Sequence, residues 1–115
     1  DLALDPFPFN GGMSTLDALW MGVPVLSLAG ESLWARQGAM LLGALGLDDW
    51  LASDIEDYVA KATRFAQDPS GLGSLRTRLR ARLAAADFAD AERFAAALVA
   101  ALEAAFHERA EPQQA

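Results

Sequence analysis

The pattern of apolar and polar positions begins with two short apolar runs that flank one predicted helix. The first strand is expected over residues 1–5 and the second over residues 23–28, since such runs are typical of strands in a covered parallel sheet. A helix is predicted over residues 14–21 between them, with Gly22 as the residue that ends it. Strand, helix and strand joined by short loops predict a βαβ unit with a right-handed crossover.

The rest of the chain is predicted to be helical. Helices are expected at about residues 32–45, 53–67, 70–86 and 90–109, with a turn or helical stub at residues 47–51. Ser53 and Glu56 form a capping box, and Asp87 or Asp90 caps the last helix. The residues expected to face inward are Ile55, Tyr58, Val59, Ala62 and Phe65, then Leu72, Leu75, Leu79 and Leu83, and finally Phe94, Leu98, Leu102 and Phe106.

Two parallel strands cannot form a sheet that is covered on both faces. The pattern therefore predicts an α/β fold, namely an incomplete Rossmann-like unit that is helix-rich and all helical in its C-terminal half. Residues 1–52 are expected to form a βαβα unit, residues 53–110 the C-terminal helices of the same domain, and residues 111–115 a disordered tail. The missing strands are expected from an upstream segment or from partner chains, and the unpaired strand edge predicts self-association.

Composition narrows the class of protein. Hydrophobic residues make up 53% of the 115 residues, which is enough for a packed core. The formal charge of −7 argues against a nucleic-acid partner, and no apolar run approaches the roughly 20 residues of a membrane span. The chain has no cysteine, which fits a reducing, cytoplasmic location, and no acidic or histidine cluster has metal-ligand spacing. Because no initiator methionine precedes the first strand, we expect a segment of a longer protein.

Candidate chemistry concentrates in residues 9–20. The Asn-Gly-Gly turn at residues 10–12 allows positive φ, and a helix N-terminus follows it directly. Ser14 is expected to be the N-cap, with Asp17 three residues further on as in a capping box. Unpaired N–H groups and the positive end of a helix dipole, reached across glycines, form an anion site. The same residues also fit a tight turn and a capped helix that bind no ligand.

Longer strings make this pattern more specific. The sequence LDPFPFNGG at residues 4–12 is followed by STLDALWMGVPV at residues 14–25 and then by Gly30-Glu31-Ser32. In this order they resemble the C-terminal end of the O-linked N-acetylglucosamine transferase family, large glycosyltransferases with tetratricopeptide repeats upstream. The resemblance covers nearly the whole chain. Many GT-B glycosyltransferases share the outline of the Gly-Gly and Asp-Ala-Leu motifs. The combination of Asn-Gly-Gly, Asp-Ala-Leu-Trp and Gly-Glu-Ser is more specific to this family.

The resemblance implies a GT-B fold whose C-terminal, Rossmann-like half binds the diphosphate of a UDP-sugar donor. Gly12, Met13 and Ser14 would lie against the diphosphate, and Asp17 would face the uridine ribose. The residues that the resemblance implies for donor binding are Asn10, Gly11, Gly12, Met13, Ser14 and Asp17. Family members usually have threonine at both positions held here by Met13 and Ser14, so Met13 can offer only its backbone N–H.

The implied reaction transfers N-acetylglucosamine from UDP-N-acetylglucosamine to a Ser or Thr hydroxyl of a protein. The resemblance places the phosphate-binding lysine, the uracil contacts, the catalytic base and the acceptor contacts upstream, so no catalytic residue and no cofactor or metal is expected in this chain. One alternative is a transferase with a glucosyl donor or an Asn acceptor. The other is a noncatalytic interaction module whose alanine-rich helices pack on a partner.

Overall fold

A three-stranded parallel sheet lies at the centre of the molecule. The computed structural model describes residues 1–110, and the tail predicted at residues 111–115 lies outside the described residues. The strands are β1 (Ala3–Leu4), β2 (Val25–Leu28) and β3 (Leu51–Ala52), in the spatial order β1-β2-β3. The β2 strand therefore occupies the middle and pairs on both sides.

The prediction of only two strands was wrong, because β3 adds a third. In its parallel register with β2, Leu51 pairs with Ser27 and Ala52 with Leu28. The strand has only two residues and comes directly after a 3₁₀ turn at Asp48–Trp50, so no alternation of apolar and polar positions marks it in the sequence. The predicted turn at residues 47–51 is confirmed in its first part.

The described residues form five α-helices, of which the first three pack on β2. They are α1 (Met13–Trp20), α2 (Gln37–Ala44), α3 (Ile55–Ala66), α4 (Pro69–Ala84) and α5 (Ala91–Ala110). Two further 3₁₀ turns, Leu33–Ala35 and Asp87–Ala89, precede α2 and α5. The predicted helix at residues 32–45 is thus a 3₁₀ turn followed by a shorter α-helix, and every element after β3 is helical, as predicted.

The core forms where α2 and α3 pack on β2 and where α4 packs on α1. Its fully buried side chains include Leu19, Leu26, Leu42 and Leu79. The predicted apolar stripe of α4 is confirmed, because Leu79 and Leu83 are buried and the leucines before them pack partly against the core. Removal of this apolar surface from water is the main stabilising term.

Part of the predicted inward face of α3 is exposed. Tyr58 is buried and Phe65 stacks on Trp50, with 4.0 Å between ring centroids. Ile55 and Val59, in contrast, are more than half exposed. The prediction that Ile55 and Val59 face inward was therefore wrong, and α3 packs through the side that carries Tyr58, Ala62 and Phe65.

Helices α1 and α2 end in the same way. Gly22 follows α1 and Gly46 follows α2, and both have positive φ, +78° and +62°. Beyond α1, Val23 N–H donates to Ala18 C=O at 2.8 Å, which is the long hydrogen bond of a Schellman motif. The predicted role of Gly22 is therefore confirmed.

The N-terminus of α3 is capped one residue later than predicted. The N-cap is Asp54, which accepts a hydrogen bond from Asp57 N–H at 2.8 Å, and not Ser53. The side chain of Asp57 in turn accepts from Ser53 N–H and pairs with Lys61, both at 3.0 Å. A carboxylate is the stronger acceptor at the positive end of a helix, so Asp54 displaces the serine as cap.

Helix α5 does not bury the face that its sequence predicts. Asp90 caps it by accepting from Arg93 N–H at 3.0 Å, as one of the two predicted caps. Phe94, Leu98 and Phe106 are nevertheless exposed, as is Leu102, and the main contacts of α5 are with the 3₁₀ turn before it. The prediction that these four side chains face inward was therefore wrong. Within residues 1–110, no helix is both long and apolar enough to cross a membrane.

Replacing a core leucine tests this packing. We expect Leu79→Ala to lower the free energy of unfolding by about 2–5 kcal/mol, since it removes a fully buried side chain and leaves a cavity. The matched control, Leu98→Ala on α5, is expected to stay within about 0.5 kcal/mol. Urea denaturation of the two variants measures the difference, and equal losses would contradict the exposure of α5.

The carboxylate of Asp57, in the first turn of α3, makes stability depend on pH. The hydrogen bond from Ser53 N–H lowers the pKa of Asp57, and Lys61 lowers this pKa further. Because the folded-state pKa is depressed, the carboxylate contributes stability above its unfolded pKa and loses that contribution as pH falls through the folded pKa. We expect Asp57→Asn to be less stable than wild type at pH 7, with the gap closing below about pH 4.

Urea denaturation between pH 7 and pH 3 measures this gap. Glu103→Gln, on the exposed face of α5, serves as the control and is expected to follow wild type throughout. A gap that stays constant down to pH 3 would show that the charge of Asp57 does not stabilise α3.

Candidate functional site

Two helix N-termini meet at the carboxyl end of the parallel sheet. The loop after β1 leads into α1 and the loop after β2 leads into α2. The two starts are close together, since a Cβ on Gly12 would lie 2.6 Å from the side-chain Oε1 of Gln37. In open parallel sheets, ligands bind in the crevice outside this edge.

The glycines of the predicted turn serve close approach and not positive φ. Within the described residues, positive φ occurs at Gly22 and Gly46, and φ at Gly12 is −102°. A Cβ on Gly11 would lie 2.6 Å from Ser14 Oγ and 2.7 Å from Thr15 Oγ1. A side chain at Gly11 would therefore collide with the first turn of α1, whereas one at Gly12 would meet the side chain of Gln37 on α2.

Helix α1 starts earlier than the sequence suggests, which changes the roles of its first residues. Gly12 is the N-cap, with no side-chain cap, and the first helical hydrogen bond runs from Leu16 N–H to Gly12 C=O at 3.1 Å. The prediction of Ser14 as N-cap was wrong, because two glycines let the backbone enter the helix without a capping side chain. The N–H groups of Met13 and Ser14 have no acceptor within the helix.

The side chains along the exposed side of this turn are available to a ligand. Met13 is 71% exposed, and Ser14 and Asp17 are also exposed. Asp17 lies one turn into the helix and is not the acid of a capping box, because no acidic residue lies in the first turn of α1. Among the described residues, its carboxylate has no hydrogen-bond or ion-pair partner.

A buried carboxylate that the sequence reasoning missed lies beneath the loop. Asp5 is 4% exposed, and its Oδ1 accepts from Gly11 N–H at 2.7 Å and lies 3.5 Å from Thr15 Oγ1. Its Oδ2 accepts from Ser27 Oγ on β2 at 2.5 Å. The signal that could have found it is the position of an acidic residue directly after an apolar strand, at the edge where ligands bind.

Asn10 supports the loop from inside. Its side chain is 1% exposed, and its Nδ2 donates to Pro6 C=O at 3.1 Å and to Leu28 C=O at 3.4 Å. Its Oδ1 accepts from Gly38 N–H at 3.4 Å. The polar side-chain atoms of Asn10 are all hydrogen-bonded to backbone groups. Asn10 is therefore a residue that supports the loop, unlike the exposed candidate residues at the start of α1.

Two residues distant in sequence complete the support. Tyr58 on α3 donates its hydroxyl to Asp5 C=O at 2.9 Å, and burial together with the Asp5 charge raises the pKa of this tyrosine. Gly38 in the first turn of α2 lies against Asp5 and Ser27, and a Cβ there would overlap Ser27 Oγ and lie 2.6 Å from Asp5 Oδ2. The spacing of these residues along the chain gives no sign of this cluster.

Groups suited to metal binding do not gather in the described part of the chain. No set of three or more histidine, aspartate or glutamate side chains there is placed to hold a metal ion. His107, the single histidine, lies near the end of α5 with its ring edge-on to Phe106. The candidate site thus consists of backbone N–H groups, Ser14, Asp17 and the support beneath them.

A glycine-lined helix N-terminus at the carboxyl edge of a parallel sheet is the arrangement found in Rossmann-like α/β folds. The model of "Glycosyl transferase family 41" matches residues 1–98. Because this match covers most of the chain, the chain belongs to glycosyl transferase family 41.

Several curated relatives are similar over most of this chain. It is 33% identical over 94 residues to a probable UDP-N-acetylglucosamine–peptide N-acetylglucosaminyltransferase SPINDLY of Solanum lycopersicum, which covers 82% of this chain and 10% of the relative. It is 35% identical over 107 residues to the SPINDLY relative of Hordeum vulgare, covering 93% of this chain and 11% of that protein. This chain therefore spans about a tenth of the length of these relatives.

A solved structure agrees with the family. A mutant of the O-GlcNAc transferase of Thermobaculum terrenum matches with a TM-score of 0.74 and 33% identity, over 93% of this chain and 20% of that one. The described fold is thus that of a GT-B-like O-GlcNAc transferase segment, as the sequence predicted.

Substitution at Gly38 tests the packing beneath the loop. We expect Gly38→Ala to destabilise the fold by about 1–3 kcal/mol, because the new methyl group overlaps Ser27 and Asp5 and the first turn of α2 must shift. The matched control is Gly73→Ala within α4, where a Cβ meets nothing within 4 Å. It is expected to stabilise the helix by about 0.5–1 kcal/mol. Thermal denaturation measures both, and a shift of the same sign in both variants would contradict the close contact at Gly38.

Proposed function

We propose that this chain is the donor-binding end of a glycosyltransferase that transfers N-acetylglucosamine from UDP-N-acetylglucosamine to Ser or Thr hydroxyls of proteins. One observation carries the proposal. In a chain of glycosyl transferase family 41, the start of α1 presents unpaired N–H groups across two glycines at the carboxyl edge of a parallel sheet. Such a helix start is a binding site for phosphate groups.

In the proposed reaction, the bond between the anomeric carbon and the diphosphate oxygen breaks, and a bond from that carbon to the acceptor oxygen forms. The UDP leaving group keeps the bonding electron pair, so negative charge grows on its diphosphate. The N–H groups of Met13 and Ser14, the Ser14 hydroxyl and the dipole of α1 stabilise this charge. Asp17, one turn further along and exposed, accepts from a ribose hydroxyl. Donor binding in this proposal uses no metal ion.

The remaining parts of the enzyme come from outside these 115 residues in this proposal. The base that removes the acceptor proton, the contacts to the sugar and the surface that binds the acceptor protein belong to that remainder, as do tetratricopeptide repeats. The chain itself contributes no catalytic residue and is inactive alone. We place the enzyme in the cytoplasm.

A noncatalytic interaction module is the second candidate. The observation that favours it is the exposed apolar face of α5, together with Met13, which replaces an expected hydroxyl. The strand edge of β1 offers a further surface for association, because only its other edge is paired in the described sheet. The two candidates differ in what a substitution at the start of α1 changes.

Titration with UDP tests the first candidate. We expect the complete enzyme that carries this segment to bind UDP, and Ser14→Ala and Asp17→Ala to weaken binding by roughly three- to tenfold each through loss of one hydrogen bond. Isothermal titration calorimetry measures the affinity, and the transfer assay measures the donor KM. Glu103→Gln on α5 is the control and is expected to bind UDP as wild type does.

The outcomes separate the two candidates. A complete enzyme that does not bind UDP would refute the donor-binding proposal. Variants at Ser14 and Asp17 that lose only association with a partner chain, while donor binding and transfer are unchanged, would support the interaction module.

A further inference from the structure

Asp5 is a buried charge that the proposed chemistry does not use. It is 4% exposed, and none of the ion pairs within residues 1–110, which join Lys61 to Asp57, Arg76 to Asp1 and Arg93 to Asp87, involves it. Burying a carboxylate without a cation is costly unless hydrogen-bond donors satisfy it. Here Gly11 N–H and the Ser27 hydroxyl donate to the carboxylate, and a role beyond packing would explain why the cost is tolerated.

We propose that Asp5 is the positioning residue of the donor site, which holds the glycine loop in the form that binds the diphosphate. This inference rests on the proposed function. Asp5 does not face the ligand, because its side chain lies beneath the loop and both its oxygens are occupied by protein donors. It acts through Gly11, the residue immediately before the N-cap of α1.

The peptide groups of Gly11 are held from two sides. Its N–H donates to Asp5 Oδ1 at 2.7 Å, and its C=O accepts from Thr15 Oγ1 at 3.0 Å. Thr15 also contacts Asp5 Oδ1 at 3.5 Å, so the loop and the first turn of α1 share one carboxylate. We call these two hydrogen bonds of Gly11 the clamp. Without the clamp, two adjacent glycines have many accessible conformations, and only the clamped conformation orients the N–H groups that follow as the first N–H groups of a helix.

The carboxylate is itself fixed by the sheet and two other helices. The backbone N–H of Asp5 donates to Leu26 C=O at 2.9 Å, and the backbone C=O of Asp5 accepts from the Tyr58 hydroxyl of α3. Ser27 and Gly38 enclose Oδ2 from β2 and α2. Because these contacts support the loop of the proposed donor site, and the acceptor surface lies outside these 115 residues in the proposed function, loss of Asp5 is expected to affect donor binding and to leave acceptor binding unchanged.

The test compares Asp5→Ala and Asp5→Asn in the complete enzyme. We expect Asp5→Ala to raise the donor KM and the dissociation constant for UDP by on the order of tenfold to a hundredfold, with the acceptor KM within about twofold. Asparagine keeps one acceptor for Gly11 N–H, and the Ser27 hydroxyl can turn to accept from its amide. Asp5→Asn is therefore expected to restore most of the affinity, to within about fivefold of wild type.

Leu79→Ala is the control for a merely structural effect. It removes core packing away from the loop, and its thermal midpoint falls without a selective change in donor KM. Thr15→Val serves as a second variant if Asp5→Ala does not fold. It keeps the Asp5 carboxylate but opens the clamp, so a rise of about threefold in the UDP dissociation constant is expected.

Specific outcomes overturn the inference. If Asp17→Ala weakens UDP binding while Asp5→Ala or Thr15→Val leaves it unchanged, Asp5 is not a positioning residue and the proposed function still holds. The same conclusion follows if Asp5→Ala lowers the thermal midpoint as Leu79→Ala does and alters neither KM selectively. If the wild-type enzyme does not bind UDP at all, the proposed function fails, and the inference fails with it.

Discussion

The hydrogen bond from Gly11 N–H to the buried carboxylate of Asp5 is the interaction on which the site depends. It joins the end of β1 to the loop that starts α1, and the same carboxylate reaches β2 through Ser27. In the low dielectric of the interior, an unsatisfied carboxylate would be severely destabilising, so these donors and the acceptor fix each other. The geometry of the helix start is thus set by the sheet and not by the loop alone.

A consequence of this arrangement is that the proposed binding groups and the groups that support them occupy separate layers. The exposed layer consists of N–H groups and the side chains of Ser14 and Asp17, none of which needs a partner within the protein. The buried layer consists of Asp5, Asn10 and the residues that close around them. In the proposed function, substitution in the first layer removes a contact to the donor, whereas substitution in the second changes the shape of the site.

Sequence reasoning identified the βαβ unit and the glycine loop because both leave local signals. These signals are the two apolar runs, the adjacent glycines Gly11 and Gly12, and Gly22, each of which is visible within a few residues of sequence. It missed β3, which is too short for any periodicity, and it misplaced the cap of α1, because Ser14 has the capping side chain although Gly12 has the capping position. The buried layer depends on contacts across as many as 53 positions, as between Tyr58 and Asp5, and no local pattern encodes these.

The two Schellman turns show that the first half of the chain contains the same unit twice. Gln37 begins α2 24 positions after Met13 begins α1, and Gly46 follows Gly22 by the same number. Both helices have eight residues. The copies differ at their N-termini. Gly38 in the first turn of α2 packs against Asp5 and Ser27, whereas Met13 and Ser14 in the first turn of α1 are exposed. In the proposed function, therefore, only the first of these two similar helix starts is free to bind an anion, and the second helps to enclose the carboxylate that supports the first.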